Sequence, residues 1–160
     1  VYADLDQFKG FNDVYGFLMG DEMLMLTSRV LTEWCDRLPE GTRLGHIGGD
    51  DFVIVSRGLI PAEVMEALCR TFDHAKLDLF KHSDIERGYF EANDRQGNPI
   101  RMPLVTVSLA VIDSSSIWAD PHPALFSECA ASLKKKVKQI TYLSGKSGFS
   151  YEQREYKKNN

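Results

Sequence analysis

Long hydrophobic runs are missing from this 160-residue sequence. No stretch approaches the roughly 18 consecutive apolar residues of a transmembrane helix. The chain also opens on a strand-like segment, without the basic residues and cleavage site of a signal peptide. We therefore expect a domain that makes no membrane contact and carries no targeting segment.

Cysteine is also scarce, with three residues, Cys35, Cys69 and Cys129, set far apart in helix-like contexts. An odd number at such spacing predicts neither a disulfide framework nor a zinc site of the Cys-x-x-Cys type. A reducing compartment, the cytoplasm, fits this cysteine usage best.

An excess of basic residues is the third absence. The chain has 19 Lys and Arg against 23 Asp and Glu, and its net charge is −4. Because binding to a nucleic-acid backbone usually requires a basic surface, a nucleic-acid partner is not expected. A single nucleotide is different, since magnesium, a few lysines and backbone amides can neutralise its charge locally.

Length and composition indicate one compact domain. With 43% hydrophobic residues, 160 residues can form one core but are too few to make two domains the expectation. We assign residues 1–153 to this domain and expect the polar tail 154–160 to fray.

Gly48-Gly49-Asp50-Asp51-Phe52 stands between two short apolar runs. The pattern predicts a hairpin over residues 42–57, with the two carboxylates at or next to its tip. Glycines there would let the backbone approach a phosphate, and paired carboxylates suit a metal-nucleotide site. Taken alone, however, the motif is more typical of ordinary turn chemistry, because glycine permits positive φ and aspartate is tolerated in turns.

A second acidic motif lies at the start of the chain, where Asp4 and Asp6 follow a strand-like run. Alternation places both side chains on one side of an extended strand. If this strand lies beside the hairpin, Asp4 and Asp50 can converge on Mg²⁺, which takes carboxylate oxygens and keeps positions for water and phosphate. For Asp6, metal binding and capping of the next helix remain alternatives.

Read together, these segments resemble the GGDEF domain. The resemblance rests on the run from Asp4 to Gly16, on Gly20-Asp21 and on the Gly-Gly-Asp-Asp-Phe motif, which agree with the family in order and spacing over most of positions 1–58. Members of the family are diguanylate cyclases. The resemblance implies a palm-like nucleotidyl cyclase fold, an α/β fold with a mostly antiparallel central sheet flanked by helices.

The activity implied by the resemblance is the condensation of two GTP molecules into cyclic di-GMP. Each domain would bind one GTP with Mg²⁺ or Mn²⁺, and a second GGDEF domain would face it. The ribose 3′-hydroxyl of one GTP attacks the α-phosphate of the other, and pyrophosphate leaves. The Asp-x-Leu-Thr-Gly-Leu segment that precedes the first strand in the family is missing here, so we expect a longer chain with a sensory, oligomerising or EAL-type domain.

The resemblance also implies roles for the acidic residues. The metal would be held by the carboxylates of Asp4, Asp50 and Asp51 and by the backbone carbonyl of Leu5. Asp50 would in addition help to deprotonate the attacking hydroxyl, and Asp51 would make a further acidic contact at this catalytic centre.

Substrate contacts are implied at other positions. Asn12 and Asp21 match the guanine-reading positions, with a turn and a helix N-cap as their structural alternatives. Lys138, with Lys134 as the second choice, matches the lysine that contacts phosphate, although a lysine cluster on a helix is usually a solvated face. The full set expected to bind substrate is Lys9, Asn12, Phe17, Asp21, Gly48, Gly49 and Lys138.

Phe17, Asp51 and residues 39–42 depart from the family's pattern. Phe17 stands where histidine is usual, and this side chain either lines the base pocket or, as is more typical of such a residue beside Leu18, packs in the core. Asp51 replaces glutamate and shortens the side chain by one methylene. Residues 39–42 read Pro-Glu-Gly-Thr where many members have the Arg-x-x-Asp of an inhibitory product site, so feedback by that route is not expected.

These departures leave three hypotheses open. The first is an active diguanylate cyclase, and the second is a catalytically weak GTP-binding domain that regulates an attached domain. The third is a structural dimerisation module in which the acids only cap helices and form turns.

Apolar periodicity predicts the remaining elements. Helices are expected over residues 7–15, 21–36, 61–80 and 123–139. Strands are expected at 88–92 and 101–112, around a turn at 94–98, and at 149–151.

Overall fold

The structure, a computed structural model, describes residues 1–94, 96–113 and 123–152. In chain order its elements are β1 (Tyr2–Asp6), α1 (Phe8–Tyr15), α2 (Phe17–Cys35), β2 (Arg43–Gly48), β3 (Asp51–Val55), α3 (Ala62–Ala75), a 3₁₀ turn (Lys76–Leu79), α4 (His82–Arg87), β4 (Tyr89–Asn93), β5 (Pro99–Pro103), β6 (Thr106–Val111), α5 (Pro123–Ser144) and β7 (Gly148–Tyr151).

Five strands form the central sheet, in the order β2-β3-β1-β6-β7. Three of the four neighbouring pairs are antiparallel, and β6 and β7 are parallel. Strands β4 and β5 form a separate antiparallel pair. The predicted α/β fold with a mostly antiparallel central sheet is confirmed.

The two faces of the sheet have different chemistry because side chains alternate along each strand. Apolar residues of β1 and β3 such as Leu5 and Phe52 join the main core with the buried residues of α1, α2 and α3. The opposite face carries Asp4, Asp6 and Ser108, which α5 covers with its own polar side chains. No helix in the described part of the chain is long and apolar enough to cross a membrane.

Several predicted boundaries are wrong, each for a local reason. Helix α2 begins at Phe17 instead of residue 21, because Gly16 (φ 86°) already turns the chain out of α1. The expected strand at 101–112 is two strands in different sheets, separated after Pro103, which has no N–H for a ladder. Helix α4 was not predicted, and α5 runs on to Ser144 before Gly145 (φ 65°) ends it. The tail 154–160 lies outside the described residues.

The junction of α1 and α2 depends on a close contact between Asn12 and Gly20. The side-chain oxygen of Asn12 is buried against Gly20, where a Cβ would lie only 1.8 Å away from it. The backbone amide of Gly16 donates to the Asn12 carbonyl at 2.9 Å, and that of Gly20 to the Gly16 carbonyl at 3.1 Å. The two helices therefore meet at a point where a side chain on residue 20 has no room.

Tyr15 links α1 to α4 beneath this junction. Its ring stacks on Phe11, and its hydroxyl donates a hydrogen bond to the Asp84 carboxylate, which also accepts one from Arg87. Burial and the Asp84 hydrogen bond raise the pKa of Tyr15 to about 12.

This link predicts a pH dependence of stability. The unfolded chain releases the phenolic proton near pH 10, whereas folded Tyr15 keeps it to about pH 12, so stability should fall as the pH rises across that range. We expect Tyr15→Phe to cost roughly 1 kcal/mol at pH 8 and to make the loss above pH 10 shallower. Urea unfolding at several pH values measures both. Tyr142→Phe, at a residue 57% exposed, is the matched control, and equal slopes in the two variants would contradict the prediction.

Gly20→Ala tests the helix junction. Its new methyl group must displace the Asn12 side chain, and overpacking of this kind costs about 1–3 kcal/mol. Asn12→Ala removes the obstacle, so the double variant should be more stable than the sum of the single changes predicts. Urea unfolding of the four proteins gives the coupling energy. Additive effects would show that the contact does not hold the junction.

Candidate functional site

The glycine-aspartate hairpin forms as predicted, with both carboxylates at its tip. Strand β2 ends at Gly48 and β3 begins at Asp51. Gly48 (φ 148°) and Gly49 (φ 59°) have backbone conformations that favour glycine, and a Cβ built on either would meet no atom within 4 Å. The backbone of this turn is therefore open to a ligand.

Strand β1 lies directly beside the hairpin. Asp4 is paired in register with Asp51, and the backbone amide of Leu5 donates to the Asp50 carbonyl at 3.3 Å. The sequence predicted that Asp4 would approach the hairpin acids if β1 lay beside the hairpin, and the structure meets this condition. Asp4 is 5% exposed, whereas Asp50 and Asp51 are half-buried.

Two lysines of α5 reach these carboxylates. Lys134 Nζ lies 2.7 Å from Asp4 Oδ2 and 2.5 Å from Asp51 Oδ1, and so bridges the two strands. Lys138 Nζ lies 2.5 Å from the other oxygen of Asp4 and 3.9 Å from Asp6 Oδ1. The lysine cluster is therefore more than a solvated face. Lys134, the second choice in the sequence, makes both of its contacts within 2.7 Å, whereas Lys138 makes one close contact and one at 3.9 Å.

Asp6 makes a set of contacts that the sequence did not predict. Its Oδ2 accepts hydrogen bonds from the hydroxyls of Thr106 (2.8 Å), Ser108 (2.6 Å) and Thr141 (2.8 Å). Gln7 is the residue that precedes α1, and no side chain caps that helix. Asp6 thus ties β1 to β6 and α5 and does not cap α1, while its binding of a metal stays a prediction.

The pKa values of Asp4 and Asp50 are shifted in opposite directions. Burial alone would raise the pKa of Asp4, but hydrogen bonds and charge from Lys134 and Lys138 outweigh it and hold that pKa below the usual range. Burial raises the pKa of Asp50, and the nearby charges of Asp4 and Asp51 raise it further. Asp50 is therefore the acid with the stronger affinity for a proton.

The donor set fits a hard divalent cation. Oxygens of Asp4 and Asp51 already converge on one cationic atom, Lys134 Nζ. Mg²⁺ is commonly held by one or two carboxylates together with water and substrate phosphate, so two convergent oxygens are a sufficient protein contribution. Among residues 1–94, 96–113 and 123–152, no three His, Cys, Asp or Glu side chains form a complete metal cage.

A groove of about 1310 Å³ runs beside these residues, between the sheet and α5. Its polar wall contains Asp4, Asp51 and the two lysines, and its apolar wall contains Ile47 and Leu143, which are 59% and 85% exposed. Groups of opposite charge and an apolar surface therefore lie within reach of one bound molecule.

The expected base-reading residues form a second group, on α1 and α2. Lys9 and Asp21 are exposed and Asn12 is partly buried, and none of them lines the groove. Asp21 lies one turn inside α2, so the alternative that it is the N-cap is wrong. Phe17 is 79% exposed, so core packing is also wrong for this residue.

The residues that sequence reasoning missed are the partners of Asp6 and the apolar wall of the groove. Thr106 and Ser108 alternate with apolar residues in β6, and this pattern was a signal that polar side chains share one face. Ile47 and Leu143 gave no comparable signal, because single apolar residues on a surface are common.

Solved structures with a similar fold are GGDEF domains. The active GGEEF domain of a Vibrio cholerae diguanylate cyclase is 19% identical, with a TM-score of 0.51, over 96% of this chain and 81% of that one. The GGDEF domain of YfiN from Pseudomonas aeruginosa is 14% identical, with a TM-score of 0.50, over 96% and 80% of the two chains. The fold is the nucleotidyl cyclase fold, as expected.

Curated relatives match over shorter segments. An uncharacterised 19.3 kDa protein of Streptomyces ambofaciens is 46% identical over 59 residues, which are 37% of this chain and 31% of that protein. The probable diguanylate cyclase DgcI of Escherichia coli is 33% identical over 66 residues, or 41% and 14% of the two chains. Each match spans less than a third of the relative. The model of the diguanylate cyclase GGDEF domain matches residues 1–91, more than half of the sequence, and the chain therefore belongs to the GGDEF-domain family.

Proposed function

We propose that this domain is a diguanylate cyclase, which condenses two GTP molecules into cyclic di-GMP. The observation that carries the proposal is the convergence of Asp4 and Asp51 with Lys134 and Lys138 beside the open Gly48-Gly49 backbone. Family membership supports a role in cyclic di-GMP metabolism, and the similar Escherichia coli protein is described as a probable diguanylate cyclase.

The triphosphate has two kinds of partner in this arrangement. Lys138 and Lys134 offer ammonium groups at the wall of the groove, and side chains of this kind stabilise phosphate charge as point charges. Gly48 and Gly49 add a backbone that a phosphate can approach without steric hindrance, since a Cβ at either position would meet open space. We propose that α5 and the hairpin hold the triphosphate between them.

Asp50 is the residue that we propose accepts the proton of the attacking 3′-hydroxyl. It lies in the open glycine turn between β2 and β3, directly before Asp51, which is paired in register with Asp4. Asp4, Asp50 and Asp51, with the Leu5 carbonyl, are the proposed ligands of Mg²⁺ or Mn²⁺. When bound, such an ion supplies neutralisation of the charge that develops on the phosphate.

Recognition of the base is proposed for α1 and α2. Asn12 and Asp21 present an amide and a carboxylate, which complement the donors and acceptors of guanine. Phe17, exposed at the start of α2, offers an aromatic face against which a base can stack. Lys9 lies on the exposed side of α1 and adds a positive charge there.

The proposed reaction needs a second GGDEF domain, since each domain holds one of the two GTP molecules. We propose a homodimer for catalysis and a sensory or EAL-type domain elsewhere in a longer chain. A cytoplasmic location is also proposed, which the buried free thiols of Cys35 and Cys69 support.

A second candidate, a GTP-binding regulatory domain with weak catalysis, is favoured by one observation. Both oxygens of Asp4 are engaged by lysines, so the carboxylate must give up a partner before it can act as a ligand. Binding of GTP without formation of cyclic di-GMP would distinguish this candidate from the cyclase.

Asp50→Asn tests the cyclase proposal because it removes the proton acceptor with little change in size. We expect cyclic di-GMP formation to fall by at least about 10²-fold, the lower end of the usual contribution of a general base, because the change also weakens a proposed metal ligand. GTP should still bind through the lysines and the glycine backbone. Chromatography of reactions with GTP and Mg²⁺ measures the product. Asp36→Asn, at an exposed aspartate after α2, is the matched control and should keep wild-type activity.

Protein concentration provides the test of the dimer. If two domains must meet, the rate per protomer should rise with concentration until the dimer is saturated. A rate per protomer that stays constant from the lowest concentration would argue against association during turnover. If GTP binds but no product forms at any concentration, the cyclase proposal is wrong and the regulatory GTP-binding domain is the better candidate.

A further inference from the structure

Lys134 occupies the position in the site where a cation is expected. Its Nζ lies 2.7 Å from Asp4 Oδ2 and 2.5 Å from Asp51 Oδ1, and it bridges two carboxylates on neighbouring strands. The side chain is 21% exposed, and that of Asp4 only 7%. Burial alone would lower the pKa of Lys134, but hydrogen bonds to the two carboxylates outweigh it, so the amine keeps its charge.

The helix that carries Lys134 is fixed by its neighbours. Leu133 and Val137 are buried at 5% and 0% exposure, and Thr141, one turn further on, is tied to Asp6 at 2.8 Å. Lys134 therefore cannot leave the carboxylates by a shift of α5. It can leave by rotation of its own four-carbon chain, because the groove beside it is open.

Lys138 does not share this position. It contacts the other oxygen of Asp4 and lies 3.9 Å from Asp6, its side chain is 43% exposed, and no contact joins it to Asp51 in the described residues. Among the described residues, only Lys134 joins the carboxylates of β1 and β3. An ion that uses the same two oxygens must therefore replace Lys134.

We propose that Lys134 is an internal counter-cation that competes with a divalent cation for Asp4 and Asp51. A hard divalent ion binds carboxylate oxygens at about 2.0–2.1 Å, and an ammonium group on the same oxygens would be strongly repelled. Displacement turns the Lys134 ammonium into the groove, toward the phosphates of a nucleotide. This inference rests on the proposed function, which assigns Asp4 and Asp51 to the metal.

Two consequences follow for binding. Without nucleotide, the protein should bind a divalent cation weakly, because Lys134 must be released without a new partner. With nucleotide, the phosphates receive the released ammonium, so metal and triphosphate should bind with positive coupling.

The test uses Mn²⁺ alone, with no nucleotide, and follows free Mn²⁺ by electron paramagnetic resonance. Lys134→Met removes the competing charge and keeps an unbranched side chain. We expect this variant to bind Mn²⁺ about tenfold more tightly than the wild type, within the range usual for coupled sites. Lys136→Met, at an exposed lysine outside the groove, should match the wild type. Equal or weaker affinity in Lys134→Met, or no binding by any of the proteins, overturns the proposal.

A second measurement uses only the wild type, so it tests the proposal even if Lys134→Met does not fold. The wild type is acetylated with an amine-reactive ester, with and without Mn²⁺, and the sites are quantified by mass spectrometry. Acetylation of Lys134 should rise when Mn²⁺ is present while that of Lys136 stays constant, and an unchanged Lys134 would contradict displacement. Neither of these two measurements uses GTP. A failure of the separate cyclase assay would therefore count against the proposed function and would leave the displacement of Lys134 to be judged by Mn²⁺ binding and acetylation.

Discussion

Burial of Asp4 and Asp6 between the sheet and α5 is the constraint on which the rest of the structure depends. A buried carboxylate without partners costs several kcal/mol, and both residues are only 5% exposed. Their partners come mostly from α5, which supplies Lys134, Lys138 and Thr141. These polar contacts, together with the buried Leu133 and Val137, therefore set the rotation and height of α5 over the sheet.

The buried acids of the site have two kinds of partner. Asp6 Oδ2 accepts hydrogen bonds from three hydroxyls of β6 and α5, and these bonds serve the fold. Asp4 and Asp51 are neutralised by an ammonium group on a flexible stem, and that partner can be exchanged for another cation. Two aspartates on one strand thus have separate tasks, which follow from whether their partners are short hydroxyl side chains or a long lysine.

Much of this could be read from the sequence, wherever the signal was local. The hairpin followed from glycines that permit positive φ, and the shared face of Asp4 and Asp6 followed from strand alternation. What failed depends on distant contacts, since Ser108 and Thr141 lie 102 and 135 residues from Asp6. The prediction of the start of α2 failed for another reason. The pattern placed the first residue at a plausible N-cap, Asp21, whereas the helix begins directly after Gly16.

The division of the site into two groups has a physical consequence for the proposed chemistry. The acids lie on neighbouring sheet strands, whose register holds Asp4 opposite Asp51, so the reacting atoms meet a rigid surface. Asn12 lies on α1 and is held by its contact with Gly20. Phe17, at the start of α2, is exposed. Substitution at Phe17 can therefore alter the choice of base without disturbing the acids. Asn12 has less freedom, because the side chain that we propose reads the base also packs the helix junction against Gly20.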